Sequence, residues 1–318
     1  MILSRNQRVL ITGGAGYIGS RLAVRLASHG VLSITALDNL RRGTEDSLAP
    51  ERGAIRLIEG DIRDAHTLDQ VMKGVDVVFH LAAESAVLAA AEDPEYCFAA
   101  NVTGTFRVLQ AAVKNGVKRV VFTSSREVYG DPLMLPVPET APLLPRNIYG
   151  ASKAAAEMCC AAFAANGLEV SILRLSNVYG PGDKGRVIPR FVRNALLGLP
   201  LTVFGGEQIM DFVSVDTVVE CLLRAGFGPY LPGPLNIGSG RGIPIVELCE
   251  RIIEAAQSRS TVNIAPRREV EVTRFVADIS AAGKALNLDP PPDPLSGLRE
   301  IVTAARQTLQ PAEEILTH

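Results

Sequence analysis

Six short runs of aliphatic and β-branched residues punctuate the first half of the chain, at 9–11, 33–37, 55–58, 75–81, 117–123 and 170–175. Segments with helical patterning lie between them, at 16–30, 64–73, 95–114 and about 152–165. The strand-like runs are rich in β-branched and aliphatic residues and near-continuous, with only a few polar interruptions. Strands of that kind are buried on both sides, which requires a parallel sheet covered by helices on each face. The expected architecture is α/β and doubly wound. From Pro181 onward Pro and Gly are frequent and the strands are shorter. Helices read at about 188–197, 215–225, 246–256 and 295–308, giving a smaller C-terminal α/β region built over the sheet. The expected division is 1–175 and 176–318, with some later segments returning to the first domain.

The 318 residues are enough for one large domain or two closely joined ones. The net charge of −2 gives no broad electrostatic pull toward nucleic acid or anionic membrane. No run of 18 or more apolar residues occurs, so a membrane span is not expected. The start of the chain has no leader-like pattern of a charged region, an apolar run and a small-residue cleavage site. Five Cys without metal-type spacing read as free thiols in a reducing compartment, and a cytoplasmic location is expected. The four His form no cluster, and no metal site is expected.

The first strand runs directly into Gly13-Gly14-Ala15-Gly16-Tyr17-Ile18-Gly19, which opens the first helix. Gly13 would permit a tight turn. Gly16 would let a pyrophosphate approach the N-terminus of the helix, where free N–H groups and the helix dipole favour an anion. Gly19 would allow close helix packing. Asp38 ends the second strand, where an acid accepts hydrogen bonds from ribose hydroxyls and repels a 2′-phosphate. The turn therefore reads as a dinucleotide site that favours NAD over NADP, with Arg41 and Arg42 close enough to soften that preference. Asp61 and Ile62 follow the third strand and would cover the adenine. Leu81, Ala82 and Ala83 follow the fourth and leave room for a cofactor across the sheet edge.

Tyr149 and Lys153 are four residues apart, on one face of a helix. Only six Lys occur in the chain, against 26 Arg. A free Tyr titrates near ~10 and is a poor base at neutral pH. A neighbouring ammonium and an oxidised nicotinamide would both favour its phenolate. Such a Tyr takes the proton of a sugar hydroxyl while hydride leaves carbon. Ser124 and Ser125 end the fifth strand, at the carboxyl edge where ligands of open α/β sheets bind, and Ser125 could relay that proton.

With these residues the chain resembles the extended short-chain dehydrogenase/reductase family, and within it the NAD-dependent nucleotide-sugar epimerases and dehydratases. The resemblance rests on LITGGAGYIGS, LDNL, GDIRD, FHLAA, NVTGT, TSSREVYGD, YGASK, RLSNVYGPG, DFVSVDT, NIGSG and APRRE, in the family's order across residues 10–269. It implies a Rossmann-type fold with NAD held by Gly13, Gly16, Tyr17, Ile18, Asp38, Asn39, Asp61, Ile62, Leu81, Ala82, Ala83, Asn101, Tyr149 and Lys153. It further implies Tyr149 as base, Lys153 on the nicotinamide ribose, and Ser125 on the sugar 4-hydroxyl. Asn101 would support the active site. Asn177 and Arg268 would contact the nucleotide-sugar phosphates, with Ser124, Ser125, Arg126 and Arg186 completing the substrate side. Long paired helices, here 95–114 and 152–165, would form a homodimer interface.

Two departures from the family pattern matter. Met210 stands before Asp211-Phe212 where many relatives have Arg, so a phosphate contact is expected from Arg186, Arg190 or Arg274 instead. Arg126 stands between Ser125 and Glu127, where dehydratases carry an acid. Arg cannot donate a proton at neutral pH. The resemblance thus implies a 4-epimerase of a UDP-hexose or UDP-uronate, with Glu127 counted among the catalytic residues. The alternative is a UDP-glucuronate decarboxylase or a 4,6-dehydratase using Glu127. The pair Arg126–Glu127 could also be a mere surface ion pair, or Arg126 could bind a uronate carboxylate. Phe275 falls at a position implied to sense the sugar 2-substituent, where a bulky residue argues against an N-acetyl group.

Overall fold

The computed structural model describes residues 6–183, 185–267 and 272–314. Seven parallel strands form the main sheet: β1 (Arg8–Thr12), β2 (Ser33–Asp38), β3 (Ile55–Glu59), β4 (Val77–His80), β5 (Arg119–Ser125), β6 (Glu169–Leu175) and β10 (Gly233–Ile237). Their spatial order is β3-β2-β1-β4-β5-β6-β10. The last strand thus comes from far along the chain and pairs with β6 through Leu235 and Leu173. Between them in sequence lie β7 (Asn177–Tyr179), β8 (Leu201–Phe204) and β9 (Ile209–Ser214). With β11 (Gly242–Pro244) and β12 (Val262–Ala265) these make two small sheets, β11-β9-β7 and β12-β8.

The strand residues face two ways, as the two-residue period requires. Val9 and Ile11 of β1 enter a core with Leu22 and Leu26 of α1 (Tyr17–Ser28) and Val219 and Leu222 of α8 (Val215–Phe227). Leu10 faces the opposite core, with Leu68 of α2 (Ala65–Val71), Leu109 of α5 (Gly104–Lys114) and Ala156 of α6 (Ile148–Ala165). Both faces of the sheet are therefore dry. Removing one such leucine to Ala would cost about 2–5 kcal/mol. A third core joins α7 (Val187–Leu196), α9 (Ile245–Ala256) and α11 (Leu298–Glu314) through Phe191, Leu248 and Ile301.

Helix α1 shows how local sequence sets its ends. It begins at Gly16 with no side-chain cap. It stops in a Schellman-type turn, with Gly30 at φ 78° and Val31 N–H donating to Leu26 O at 3.1 Å. The segment read as one helix over 95–114 is three pieces. Short α4 (Pro94–Phe98), preceded by α3 (Val87–Glu92), leads into a π-turn at Ala99–Thr103, which runs on into α5. Periodicity cannot reveal a one-residue widening of a turn; Asn101 sits in it. Helix α6 starts at Ile148, four residues before the sequence reading, so Tyr149 lies in its first turn. After β10, α10 (Ser280–Leu286) packs beside that strand.

Candidate active site

Parallel strands put all their carboxyl ends on one edge. Gly13, Asp38, Asp61, Leu81 to Ala83, Ser125 and Asn177 all follow or end strands there. At the end of β1, Gly13 adopts φ 71°, and its N–H donates to Leu37 O at 2.8 Å. A Cβ on Gly13 would stand 2.7 Å from Ala82 N, and one on Gly19 would strike Gly13 O. Gly14, to which no role was expected to fall, packs against Ala36, and a Cβ on it would stand 2.5 Å from the Ala36 Cβ. The first turn of α1 has no acidic residue and no side-chain cap, so its N–H groups face an anion site.

Asp38 is buried. Its carboxylate accepts from Ala15 N at 3.0 Å and Leu40 N at 2.9 Å, which ties the glycine turn to the loop after β2. Arg41 lies over the ring of Tyr96 at 3.7 Å, and Asn39 donates to the Tyr96 hydroxyl at 3.1 Å and to Asp61 at 3.3 Å. Arg63 pairs with Asp61 and holds its carboxyl below the usual range. Ile62 is buried against Gly104. Arg42, one of the two residues expected to soften the cofactor preference, is paired with the loop after β4. Its guanidinium donates to Glu84 at 3.1 Å and Ser85 at 3.0 Å, so its charge is already committed to a buried carboxylate.

Behind this edge runs a buried polar strut that the sequence did not disclose. His80 Nδ1 lies 2.6 Å from the Thr12 hydroxyl and Nε2 lies 2.9 Å from the Thr105 hydroxyl. Thr105 donates to Asn101 O at 2.6 Å, so it accepts from His80 Nε2–H, and Thr12 donates to Nδ1. Burial drives the imidazole pKa down to about 3, with Lys153 adding to the effect, and His80 is neutral. Asn101 continues the chain. Its amide donates to Glu84 O at 2.9 Å and Ser152 Oγ at 2.8 Å, and Ser152 donates to Tyr149 O at 2.7 Å. Asn101 therefore braces the loop after β4 and helix α6.

Tyr149 and Lys153 are both buried on α6. Ser125, at the end of β5, hydrogen-bonds the phenol and lowers its pKa, and Arg186 does the same by its charge. Burial outweighs both and pushes Tyr149 up to about 12. Lys153, one helical turn beyond Tyr149, is anchored to β5. Its Nζ donates to Thr123 O at 2.7 Å, and burial lowers its pKa to about 8. Ser124 Oγ is buried without a hydrogen-bond partner.

The pair Arg126–Glu127 is buried, not superficial. Arg126 Nη2 stands 2.8 Å from Glu127 Oε1, and the two side chains are 11% and 7% exposed. Arg126 Nε donates to Asn177 Oδ1 at 3.3 Å, while Asn177 Nδ2 donates to Asp211 O at 2.9 Å. Phe275 is buried, stacked on Tyr129 and 6.0 Å beneath the Arg126 guanidinium. Of the three expected substitutes for the missing phosphate contact, Arg190 and Arg274 are exposed. Arg186 lies 5.2 Å over the Tyr17 ring, and its Nη1 is buried with no hydrogen bond, 3.6 Å from Asp183. Asp211 is a structural hub, accepting from Ser239, Gly240 and Ala277 backbone N–H groups. Arg268 lies outside the described residues. Among the described residues, no group of His, Cys, Asp and Glu is placed to hold a metal.

The family model for the NAD dependent epimerase/dehydratase family matches residues 9–238. The chain belongs to this family. It is 34% identical to the UDP-glucose 4-epimerase of Azospirillum brasilense, over 92% of this chain and 89% of that protein. It is 32% identical to UDP-glucuronic acid decarboxylase 2 of Arabidopsis thaliana, over 94% of this chain and 68% of that protein. The crystal structure of Thermotoga maritima UDP-glucose 4-epimerase with UDP-glucose superposes with a TM-score of 0.90, at 30% identity, covering 95% of this chain and all of that one.

The site of this epimerase/dehydratase family member fits the dinucleotide its family uses. The glycine turn leaves no space for side chains, the helix above it offers free N–H groups, and Ser124 presents an unpartnered hydroxyl at the sheet edge. Asn147, Glu84, Thr12 and Thr105 also serve the site. Thr12 and Thr105 lie inside recognised motifs and Glu84 and Asn147 just outside them, but their partners lie far away in the chain and the sequence does not mark them.

Proposed function

We propose that the chain is an NAD-dependent 4-epimerase of a nucleotide-diphosphate sugar, a UDP-hexose or UDP-uronate. Bound NAD supplies the acceptor and donor of hydride at carbon 4. Tyr149 takes the proton of the 4-hydroxyl, with Ser125 hydrogen-bonded to both groups. Lys153 holds the nicotinamide ribose and keeps positive charge near the phenolate. The 4-keto sugar turns within the pocket, and Tyr149 returns its proton after hydride arrives on the other face. No net redox change results, so the cofactor need not exchange.

One observation carries this choice over its relatives: both oxygens of Glu127 already have partners, and Arg126 replaces the acid that elimination of water would use. The second reading, decarboxylation of a UDP-uronate or 4,6-dehydration, rests on the retained Glu127 and on similarity to the Arabidopsis decarboxylase. Incubation with UDP-, dTDP-, GDP- and CDP-sugars, with products resolved by NMR, decides between them. An isomer of equal mass supports the epimerase; loss of carbon dioxide or water selects the other reading.

We assign residues 1–175 to the dinucleotide side, with 233–237 returning to its sheet, and 176–318 to the sugar-nucleotide side. There Asn177 and Arg186 would meet the phosphates. Helices α4, α5 and α6 expose Phe98, Phe106, Val113 and Met158 at 44–59%. This apolar face suits a homodimer. Met158→Asp should shift the protein to monomer in light scattering; an unchanged mass would place the interface elsewhere. Five free thiols suit a reducing, cytoplasmic setting.

A further inference from the structure

Glu127 stands two residues beyond Ser125, at the edge of the reaction centre. Its Oε1 meets Arg126 Nη2 at 2.8 Å, and its Oε2 accepts from Asn147 Nδ2 at 2.8 Å. Asn147 is the N-cap of α6, and its Oδ1 accepts from Gly150 N at 2.8 Å. Gly150 follows Tyr149, and a Cβ there would lie 2.4 Å from Glu127 O. The first turn of α6 is thus laid directly on the turn that carries Glu127.

We propose that Glu127 is a positioning residue for Tyr149, acting through Asn147, and that Arg126 serves to hold Glu127. The inference rests on the epimerase reading for its kinetic arm only. An Asn amide can cap a helix only with its oxygen turned to the helix N–H. An ionised carboxylate accepts and never donates, so Glu127 selects the orientation in which the amide nitrogen faces it and the oxygen faces Gly150. The bond is charge-assisted, about twice as strong as a neutral one. Arg126, held at Nε by Asn177, gives Nη2 to the other carboxylate oxygen and so fixes Glu127 in place. A nearby anion also opposes formation of the Tyr149 phenolate, so proximity of Glu127 to the phenol is tolerated for what it does to the helix.

The test compares Glu127→Ala, Asn147→Ala and the double variant in the holoenzyme. Hydrogen exchange at the Gly150 amide should accelerate about tenfold in both single variants, as expected for a lost cap. With a sugar that the wild type turns over, kcat should fall about tenfold or more in each and KM should change less than about threefold. The double variant should be no worse than the poorer single, because both act on one link. The lower-pH limb of kcat should also move to lower pH in Glu127→Ala but not in Asn147→Ala. Unchanged Gly150 exchange in Glu127→Ala, or multiplying losses in the double variant, would overturn the proposal. If Glu127→Ala fails to fold, Glu127→Gln takes its place with the same readouts. If no sugar is turned over by the wild type, the epimerase reading fails while the exchange measurement still decides this one.

Discussion

Lys153 donates to the carbonyl oxygen of Thr123, 2.7 Å away, and so is anchored to the strand that ends in Ser125. Burial moves Lys153 down to about 8 and Tyr149 up to about 12, so each is biased toward its neutral form. A positive nicotinamide ring opposes the second shift. In protein freed of cofactor the Tyr149 phenol should therefore titrate well above ~10, and added NAD+ should lower it. Difference absorbance at alkaline pH, with Tyr149→Phe as the blank, reads both values. The same variant should lose about 10²–10⁴ in kcat. A phenol that titrates identically with and without NAD+ would sink this account of the base.

The loop after β2 and the loop after β4 lie on either side of β1, and Arg42 joins Glu84 across its end. That span crosses the glycine turn where the pyrophosphate is expected. Arg42→Ala should release NAD about tenfold faster, the loss expected for a hydrogen bond to a charged group. Its melting temperature should also fall, because Glu84 is 3% exposed and would lose its charged partner. Release rates of the retained nucleotide after rapid dilution check this; equal rates would remove the strap from the cofactor's path.

Gly13→Ala should damage fold and cofactor binding together. Its φ of 71° is left-handed, and its Cβ would meet backbone atoms of Ala82, which cannot swing aside. The conformational penalty alone is about 1–2 kcal/mol. Thermal melts and bound-nucleotide content should both fall. A variant with wild-type nucleotide content would show that the turn relaxes.

His80 should make the protein acid-sensitive. Its pKa is about 3 in the folded chain against 6.5 when exposed, so the unfolded state binds the extra proton between these values. The stability that neutral His80 contributes is complete above about 6.5 and is lost as pH falls toward about 3. His80→Gln should be less stable at pH 7.5, since Thr12 and Thr105 lose a matched partner. Its melting temperature should nevertheless fall less steeply than that of the wild type between pH 6.5 and 4. Parallel slopes would mean that His80 does not govern the acid limb.

What the sequence disclosed was local. Gly13, Gly16 and Gly19 announce a turn within seven residues, and Asp38 follows at a strand end. Tyr149 and Lys153 fall one helical turn apart. Each of these needs only its own neighbourhood to be read. The burial of Arg126 and Glu127 was not legible, since it depends on Asn147, 20 residues on, and Asn177, 51 residues from Arg126. The His80 strut likewise draws on Thr12, 68 residues away, and Thr105, 25 residues away. A polar residue among aliphatic ones carries no mark of its partner. The π-turn around Asn101 escaped for another reason, because one widened turn barely disturbs an apolar stripe.

The sheet of this protein is completed out of order. Strand β6 ends at Leu175, yet its outer neighbour β10 begins only at Gly233. During synthesis, β6 has a bare rim of backbone donors and acceptors until some sixty further residues have emerged, at about 5–20 residues per second. For those seconds the half-built sheet offers another nascent copy a place to pair. Proteolytic fragments or truncations ending between the two strands inherit the same open rim permanently, and aggregation rather than a free-standing dinucleotide module is their expected fate.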